Sequence, residues 1–144
     1  MRNLLTITLM SILSVGCSST TNVPLKEKDK AYFEFIQAES LASVEKINGF
    51  KLHSWKALSD KYLIITATHN KDYLVETKSR CFNLSSSHYI KLNRSSTMSV
   101  NTYSDYISPT NDFSDKCFIK SIYPITDTQM DYMVSIAKPT SNKS

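Results

Sequence analysis

Glycine is almost missing from this chain: of 144 residues only Gly16 and Gly49 are glycine. A glycine-rich loop that cradles phosphate through its backbone is therefore excluded. Histidine is also sparse, and His53, His69 and His88 lie far apart with no H-x-x-x-H or C-x-x-C companion. A metal site would have to be assembled by the fold alone, and exposed or hairpin-loop histidines are the plainer expectation. No serine sits in G-x-S-x-G. The formal net charge of +4 comes from scattered lysines rather than a basic stripe interleaved with aromatics, so nucleic-acid binding is not expected. Such a balance would favour anionic headgroups or acidic glycans, although a solvated surface explains it more simply.

The amino terminus carries the most pointed signal. Arg2 precedes a mostly apolar run from Leu4 to Val15, and Ser14-Val15-Gly16-Cys17 closes it. The run is shorter than the roughly 20 residues a spanning helix needs, and it has the layout of a signal peptide with a small residue at the cleavage point. The tetrapeptide resembles the lipobox of bacterial lipoproteins, with Ser14 where leucine is usual. That resemblance implies lipid on the Cys17 thiol, cleavage before it, and, with Ser18 next, sorting to the outer membrane facing the periplasm. The competing reading is an ordinary secretory signal cut at another small residue. Each buried methylene contributes about 0.8 kcal/mol, so two or three acyl chains would attach the protein lastingly without crossing the bilayer.

Cysteine arithmetic agrees with this reading. Three cysteines is an odd number until Cys17 is assigned to lipid, which leaves Cys81 and Cys117 as a pair for an oxidising compartment. A bridge over that span would stabilise a small domain by roughly 4 kcal/mol in the loop-entropy picture. The alternative, two reduced metal ligands, lacks the close ligand pairs typical of zinc sites.

The expected organisation is a signal peptide (1–16), a lipidated cysteine with a flexible tether (17–30), one globular domain (31–138) and a disordered tail (139–144). The Ser/Thr-rich and then charged tether would span about 20 Å as a coil. Without the signal peptide roughly 130 residues remain, enough for one core and too few for two.

From Ala31 to Ile47 the residues Phe33, Ile36, Leu41, Val44 and Ile47 suggest one face of an amphipathic helix, stopped near Gly49. Tyr62 to Thr68 and Tyr73 to Lys78 read as a hairpin joined by His69-Asn70-Lys71-Asp72. Further strands are expected at Phe50 to Trp55, Tyr89 to Leu92, Met98 to Tyr103 and Cys117 to Tyr123, with a Ser-Pro-Thr-Asn-Asp turn between the last two. Thr126 and Gln129 have capping-box spacing ahead of a short C-terminal helix that Pro139 would stop. The expectation is an α+β, mostly β fold: a curled antiparallel sheet or partly open barrel, with an N-terminal helix and a short C-terminal one.

Several short stretches, Ile47-Asn48-Gly49-Phe50, Leu58 and Asp60 before Tyr62-Leu63-Ile64, Tyr73-Leu74-Val75, Cys81 with Leu84, Ser104-Asp105-Tyr106-Ile107 and Cys117 to Tyr123, resemble an uncharacterised family of small proteobacterial lipoproteins with a paired-cysteine, β-rich domain. The resemblance spans about residues 45–124. It departs from that pattern in lacking two further cysteines and in having Ser104 where glycine is usual, so no second disulfide is implied. It implies a class and no mechanism.

Chemistry is hard to place. Asp60 and Asp105 could act as an acid/base pair if the fold brought them together, but aspartates in turns ordinarily bond backbone. Aromatics are a better lead, with eight tyrosines, six phenylalanines and one tryptophan. Tyr62, Tyr73 and Phe118 are assigned to the core, and Tyr103, Tyr106 and Phe113 to a candidate recognition surface. Two function classes follow. One is a non-catalytic, cofactor-free binding or adaptor module of the envelope, attached to the membrane through its lipid and docking a protein or glycan partner. The other is a cell-wall or lipid hydrolase using carboxylates that the fold assembles.

Overall fold

A computed structural model describes residues 24–109 and 115–138. Cys17, the signal peptide, Phe113 and the tail from Pro139 lie outside the described residues. The elements in chain order are α1 (Leu25–Ala38), β1 (Lys46–Asn48), β2 (Ser54–Ala57), β3 (Tyr62–Ala67), β4 (Lys71–Thr77), β5 (Lys91–Asn93), β6 (Ser99–Asn101), β7 (Tyr106–Ser108), β8 (Cys117–Ile125) and α2 (Asp127–Ala137). Six strands form one antiparallel sheet in the order β2-β3-β4-β8-β7-β5, curled into a half-barrel, and β1 pairs with β6 as a second, two-stranded sheet.

The sheet has a core on each face. Inside the half-barrel, Leu63, Ile65, Tyr73, Val75, Ile119 and Ile122 meet Ile47, Phe50, Leu84, Val100 and Ile107. On the convex face Tyr62, Ile64 and Leu74 pack against Tyr32 and Ile36 of α1 and Met133 of α2. Successive strand residues point to opposite faces, so a strand covered on both sides must be apolar throughout. Leu63-Ile64-Ile65 and Leu74-Val75 meet that demand, and all five are essentially inaccessible.

The N-terminal helix starts earlier and stops earlier than expected. Leu25 to Ala31 is rich in good helix formers, and the Pro24 carbonyl accepts the amides of Glu27 and Lys28. The segment assigned to a tether is thus helical from Leu25. Ser40 ends the helix by turning left-handed (φ 49°), which lets the Leu41 amide reach back to the Ile36 carbonyl, as glycine usually does. Val44 and Ile47, expected on the helix, instead serve the sheet: Val44 bridges Ile122 of β8, and Ile47 lies in β1 opposite Val100. Their apolar spacing suited either element, and tertiary pairing decided it.

The β3–β4 turn is Thr68–Asn70, with His69 and Asn70 both left-handed, so Lys71 and Asp72 belong to β4 rather than to the link. Phe50 is a buried loop residue ahead of β2, and Tyr89 precedes β5. Strand β7 was not expected; it pairs with both β5 and β8. The capping box on α2 forms as its spacing suggested: Thr126 Oγ1 accepts the Gln129 amide at 3.3 Å and Gln129 Oε1 accepts the Thr126 amide at 3.0 Å.

Cys81 and Cys117 are joined by a disulfide across 36 residues, with Cα atoms 5.4 Å apart. It ties the turn after β4 to the first residue of β8, inside the half-barrel core. Unreduced digestion should yield a peptide linking these two cysteines; free alkylation of both before reduction would remove the bridge. Double replacement by alanine should lower stability by about 4 kcal/mol in the loop-entropy model.

Adjacent residues of β4 test the two cores directly. Leu74→Ala opens a cavity on the helix side and Val75→Ala one inside the half-barrel, so each should cost more than about 1 kcal/mol in denaturant melts. A neutral result for either would mean that one face of β4 is wet.

Candidate functional site

Strand β8 carries the irregularity from which a site is built. Glu76 pairs with Ser121, but Thr77 pairs with Ile119, so Lys120 is an extra residue on β8. Such a bulge breaks the two-residue alternation and re-aims a side chain. Ile119 and Ile122 consequently both face the half-barrel core, while Lys120 stands on the outer face.

There Lys120 Nζ meets Glu76 Oε1 at 2.9 Å, and Lys61 Nζ meets the same oxygen at 3.2 Å. Glu76 is only 3% exposed, whereas Lys120 is half-exposed. A carboxylate taken from water needs such charged donors to remain tolerable. Beneath lies Tyr62: burial first, then the charges of Glu76 and Asp29, push its phenol far above the usual value, so it stays neutral. Asp29 of α1 accepts from the Ser59 hydroxyl and from Arg80 Nη2, the latter at 2.7 Å, which fixes α1 to the sheet margin.

Beyond the reach of the helices the outer face becomes aromatic and cationic. Phe118 of β8 is 39% exposed and meets Tyr106 of β7 with ring centroids 5.4 Å apart. Lys78 Nζ lies 5.8 Å from the Phe118 ring and Lys116 Nζ 5.5 Å from the Tyr106 ring. Cation–ring contacts of this exposed kind contribute about 0.5–1 kcal/mol each. Next to this strip Ser43, Val44, Glu45, Lys78, Thr102, Tyr103, Lys120 and Ser121 line a cleft of about 260 Å³. The Tyr103 hydroxyl donates to Glu45 Oε1 at 2.8 Å, a bond that raises its own titration point.

A second depression, of about 490 Å³, runs between the helices along Ala31, Phe35, Ala38 and Tyr132, with Glu34, Glu39 and Gln129 on its rim. Phe35 stacks on Tyr132 at 5.0 Å, and Gln129 Nε2 donates to Glu39 Oε2 at 3.2 Å.

Of the residues singled out in the sequence, Tyr103 and Tyr106 both fall on or beside the β8 face. Tyr103 is 72% exposed and Tyr106 half-buried. Phe118, assigned to the core, instead stands half-exposed within the strip, because the bulge and the end of helix coverage leave its side of β8 open; Tyr62 and Tyr73 are buried as expected. Asp60 and Asp105 serve different loops. Asp60 Oδ1 accepts the Ser85 amide and hydroxyl at 3.1 and 2.6 Å. Asp105 is wholly buried; its Oδ1 accepts the Ser95 amide and the hydroxyls of Ser95 and Ser104, and its Oδ2 the Asn101 amide at 2.8 Å. The three histidines are exposed and lie apart, His53 just ahead of β2, His69 in the β3–β4 turn and His88 ahead of β5, and no cluster of three metal-ligating side chains occurs among the described residues. Lys78, Lys120 and Glu76 were not picked out from the sequence. The available signal was the spacing of Cys117, Ile119 and Ile122, which breaks a two-residue period at the bulge.

The chain belongs to a family of unknown function (DUF6491), which matches residues 1–138. No curated protein and no solved structure matches it.

Asp105 provides a pH test of the architecture beside the site. Burial alone would push its carboxyl up, but the amides of Ser95 and Asn101 and the hydroxyls of Ser95 and Ser104 outweigh it and hold it below the ordinary range. A carboxyl depressed in the folded state contributes stability that is complete above its unfolded value, about 4, and is lost as the pH falls further. Asp105→Asn should cost about 2 kcal/mol at pH 7, because its new amide confronts the Asn101 donor. The gap from the parent should narrow in melts below pH 4; a gap independent of pH would contradict an ionised Asp105.

Proposed function

We propose that this protein is a lipid-anchored, non-catalytic binding module of the cell envelope. In this reading the Cys17 lipid holds it at the periplasmic face of the outer membrane, and the β7–β8 face meets a protein or glycan partner. Support for the anchor is the Arg2 to Cys17 pattern together with the Cys81–Cys117 disulfide, a bond suited to an oxidising compartment. Among the described residues no helix is long and apolar enough to cross a membrane, and a lipid-anchored module would need none.

The observation that carries the binding role is the strip of Tyr106, Phe118, Lys78 and Lys116, aromatic rings overlaid by cations on a face that the helices leave uncovered. Rings with broad contact area and few rotatable bonds are favoured at recognition surfaces. The two aspartates that hydrolytic chemistry is expected to call on, together with the buried Asp72 and Glu76, are engaged in holding the fold. Asp105 and Asp60 brace loops, Asp72 accepts from Thr66 Oγ1 at 2.6 Å, and Glu76 is held between two lysines.

Replacing Cys17 by alanine should move the protein from the membrane fraction to the soluble periplasmic fraction. Mass spectrometry of the parent should find acyl chains on an amino-terminal cysteine. Continued sedimentation of the variant with membranes, or an unmodified amino terminus on the parent, would refute the anchor. For the binding role, Tyr106→Ser with Phe118→Ser should abolish crosslinks formed in intact cells by a photoreactive residue at position 103; unchanged crosslinks would refute the role of the strip.

A further inference from the structure

The cleft beside the bulge has a composition unlike the rest of the surface. Two lysines line it from adjoining strands: Lys78, just past β4, whose amide donates to the Phe118 carbonyl at 2.8 Å, and the bulged Lys120. Lys120 already serves Glu76, but that carboxylate is shared with Lys61. Lys78 has no carboxylate partner among the described residues, and its ammonium rests only against the Phe118 ring. Ser43 and Ser121 also line the cleft, and their hydroxyls make no hydrogen bond within the described residues. Opposite them stands Glu45, held in place by Tyr103.

Charge and size narrow the ligand. Lys78 and Lys120 line the cleft with one carboxylate, Glu45, and the neighbouring Glu76 is matched by Lys61, so the cleft has one positive charge in excess. A doubly charged group would leave the cleft with a net negative charge, whereas a singly charged oxyanion balances it. At about 260 Å³ the space falls below the roughly 300–1,000 Å³ of sites for drug-sized molecules, which suits a single headgroup-sized moiety. Lysines act as point charges that suit a tetrahedral phosphoryl group, while planar carboxylates are matched best by the arginine fork, which this cleft lacks. We infer that the cleft formed by Lys78, Lys120, Ser43 and Ser121 binds a phosphodiester group. Its two unesterified oxygens would take the lysines and serine hydroxyls, and an ester arm would extend over Phe118. The inference goes beyond the proposed envelope role and does not depend on lipid at Cys17.

The chemistry could come from a phospholipid headgroup or from a soluble phosphodiester, and one titration can separate these sources. The full chain in dodecyl maltoside, a phosphate-free detergent, is titrated with diethyl phosphate and followed by amide chemical shifts. Shifts at Lys78, Thr102 and Ser121 should saturate. Lys78→Gln should raise the Kd about tenfold or more, the loss of one charge-assisted bond. Lys56→Gln, which removes the same charge from exposed β2 across the sheet, should leave the Kd unchanged. An unaltered Kd in Lys78→Gln, an equal loss in Lys56→Gln, or the same shifts with sodium chloride at matched ionic strength would overturn the site. If adding phosphatidylglycerol nanodiscs to the protein abolishes the diethyl phosphate response, the headgroup is the ligand source. If the response persists there, the source is soluble.

Discussion

Strand β4 has almost no face that meets water, and most other features of the molecule follow from that. Its odd-numbered residues Tyr73 and Val75 close the half-barrel, while Asp72, Leu74 and Glu76 point to the helical side. A strand buried twice requires a full layer on each side. The curled sheet with β1, β6 and the 81–84 turn supplies one layer, and the antiparallel pair α1 and α2 the other. Both helices are tied in by polar contacts as well as apolar ones. Lys28 Nζ donates to the Ala137 carbonyl at 3.0 Å, and Asp29 reaches Ser59 and Arg80. Where the helices end, the convex face of the same sheet is left to Glu76, Lys120 and Phe118. The polar margin and the aromatic strip are therefore the uncovered remainder of a face that is elsewhere core.

Local chemistry made the central elements readable. Dense β-branched runs mark β3 and β4, the Thr126/Gln129 spacing marks α2, and the pairing of the two later cysteines follows from parity. Where expectation and structure differ, the causes differ. Val44 and Ile47 have apolar spacing that a helix could also use, and what places them in β-structure is Val44 bonding Ile122 and Ile47 facing Val100, contacts about 78 and 53 positions away along the chain. No local window contains that information. The start of α1 was hidden differently, because a charged, lysine-rich stretch resembles a linker until Asp29 is seen to have partners on the sheet. Strand β7 is three residues long and follows the Asp105 turn, too brief to show a period.

The candidate site was legible only in part. Tyr103 and Tyr106 stood out by type and by their loop-rich setting, but the lysines that give the cleft its charge were lost among many others. Their importance comes from register. One inserted residue on β8 puts Lys120 over a buried carboxylate, and the end of β4 puts Lys78 over Phe118. Asp60 and Asp105 were more legible: as expected of aspartates in turns, they accept amides and hydroxyls, from loops 25 and 10 positions away.

Scarcity of glycine bears on how such a surface could work. Left-handed positions that glycine often fills are held here by Ser40, His69, Asn70 and Asn83, with Gly49 the one glycine among the described residues. Side chains narrow the backbone freedom of an unfolded chain, so turns built from them lose less entropy on folding. The disulfide acts in the same direction at the first residue of β8, one position before Phe118. The aromatic strip and the cleft thus rest on a strand pinned at its start by a covalent bond, paired along its length with β4 and braced from beneath by Glu76. A ligand meeting such a surface would meet a strand already constrained by a covalent bond and a paired neighbour, which lowers the ordering cost of binding.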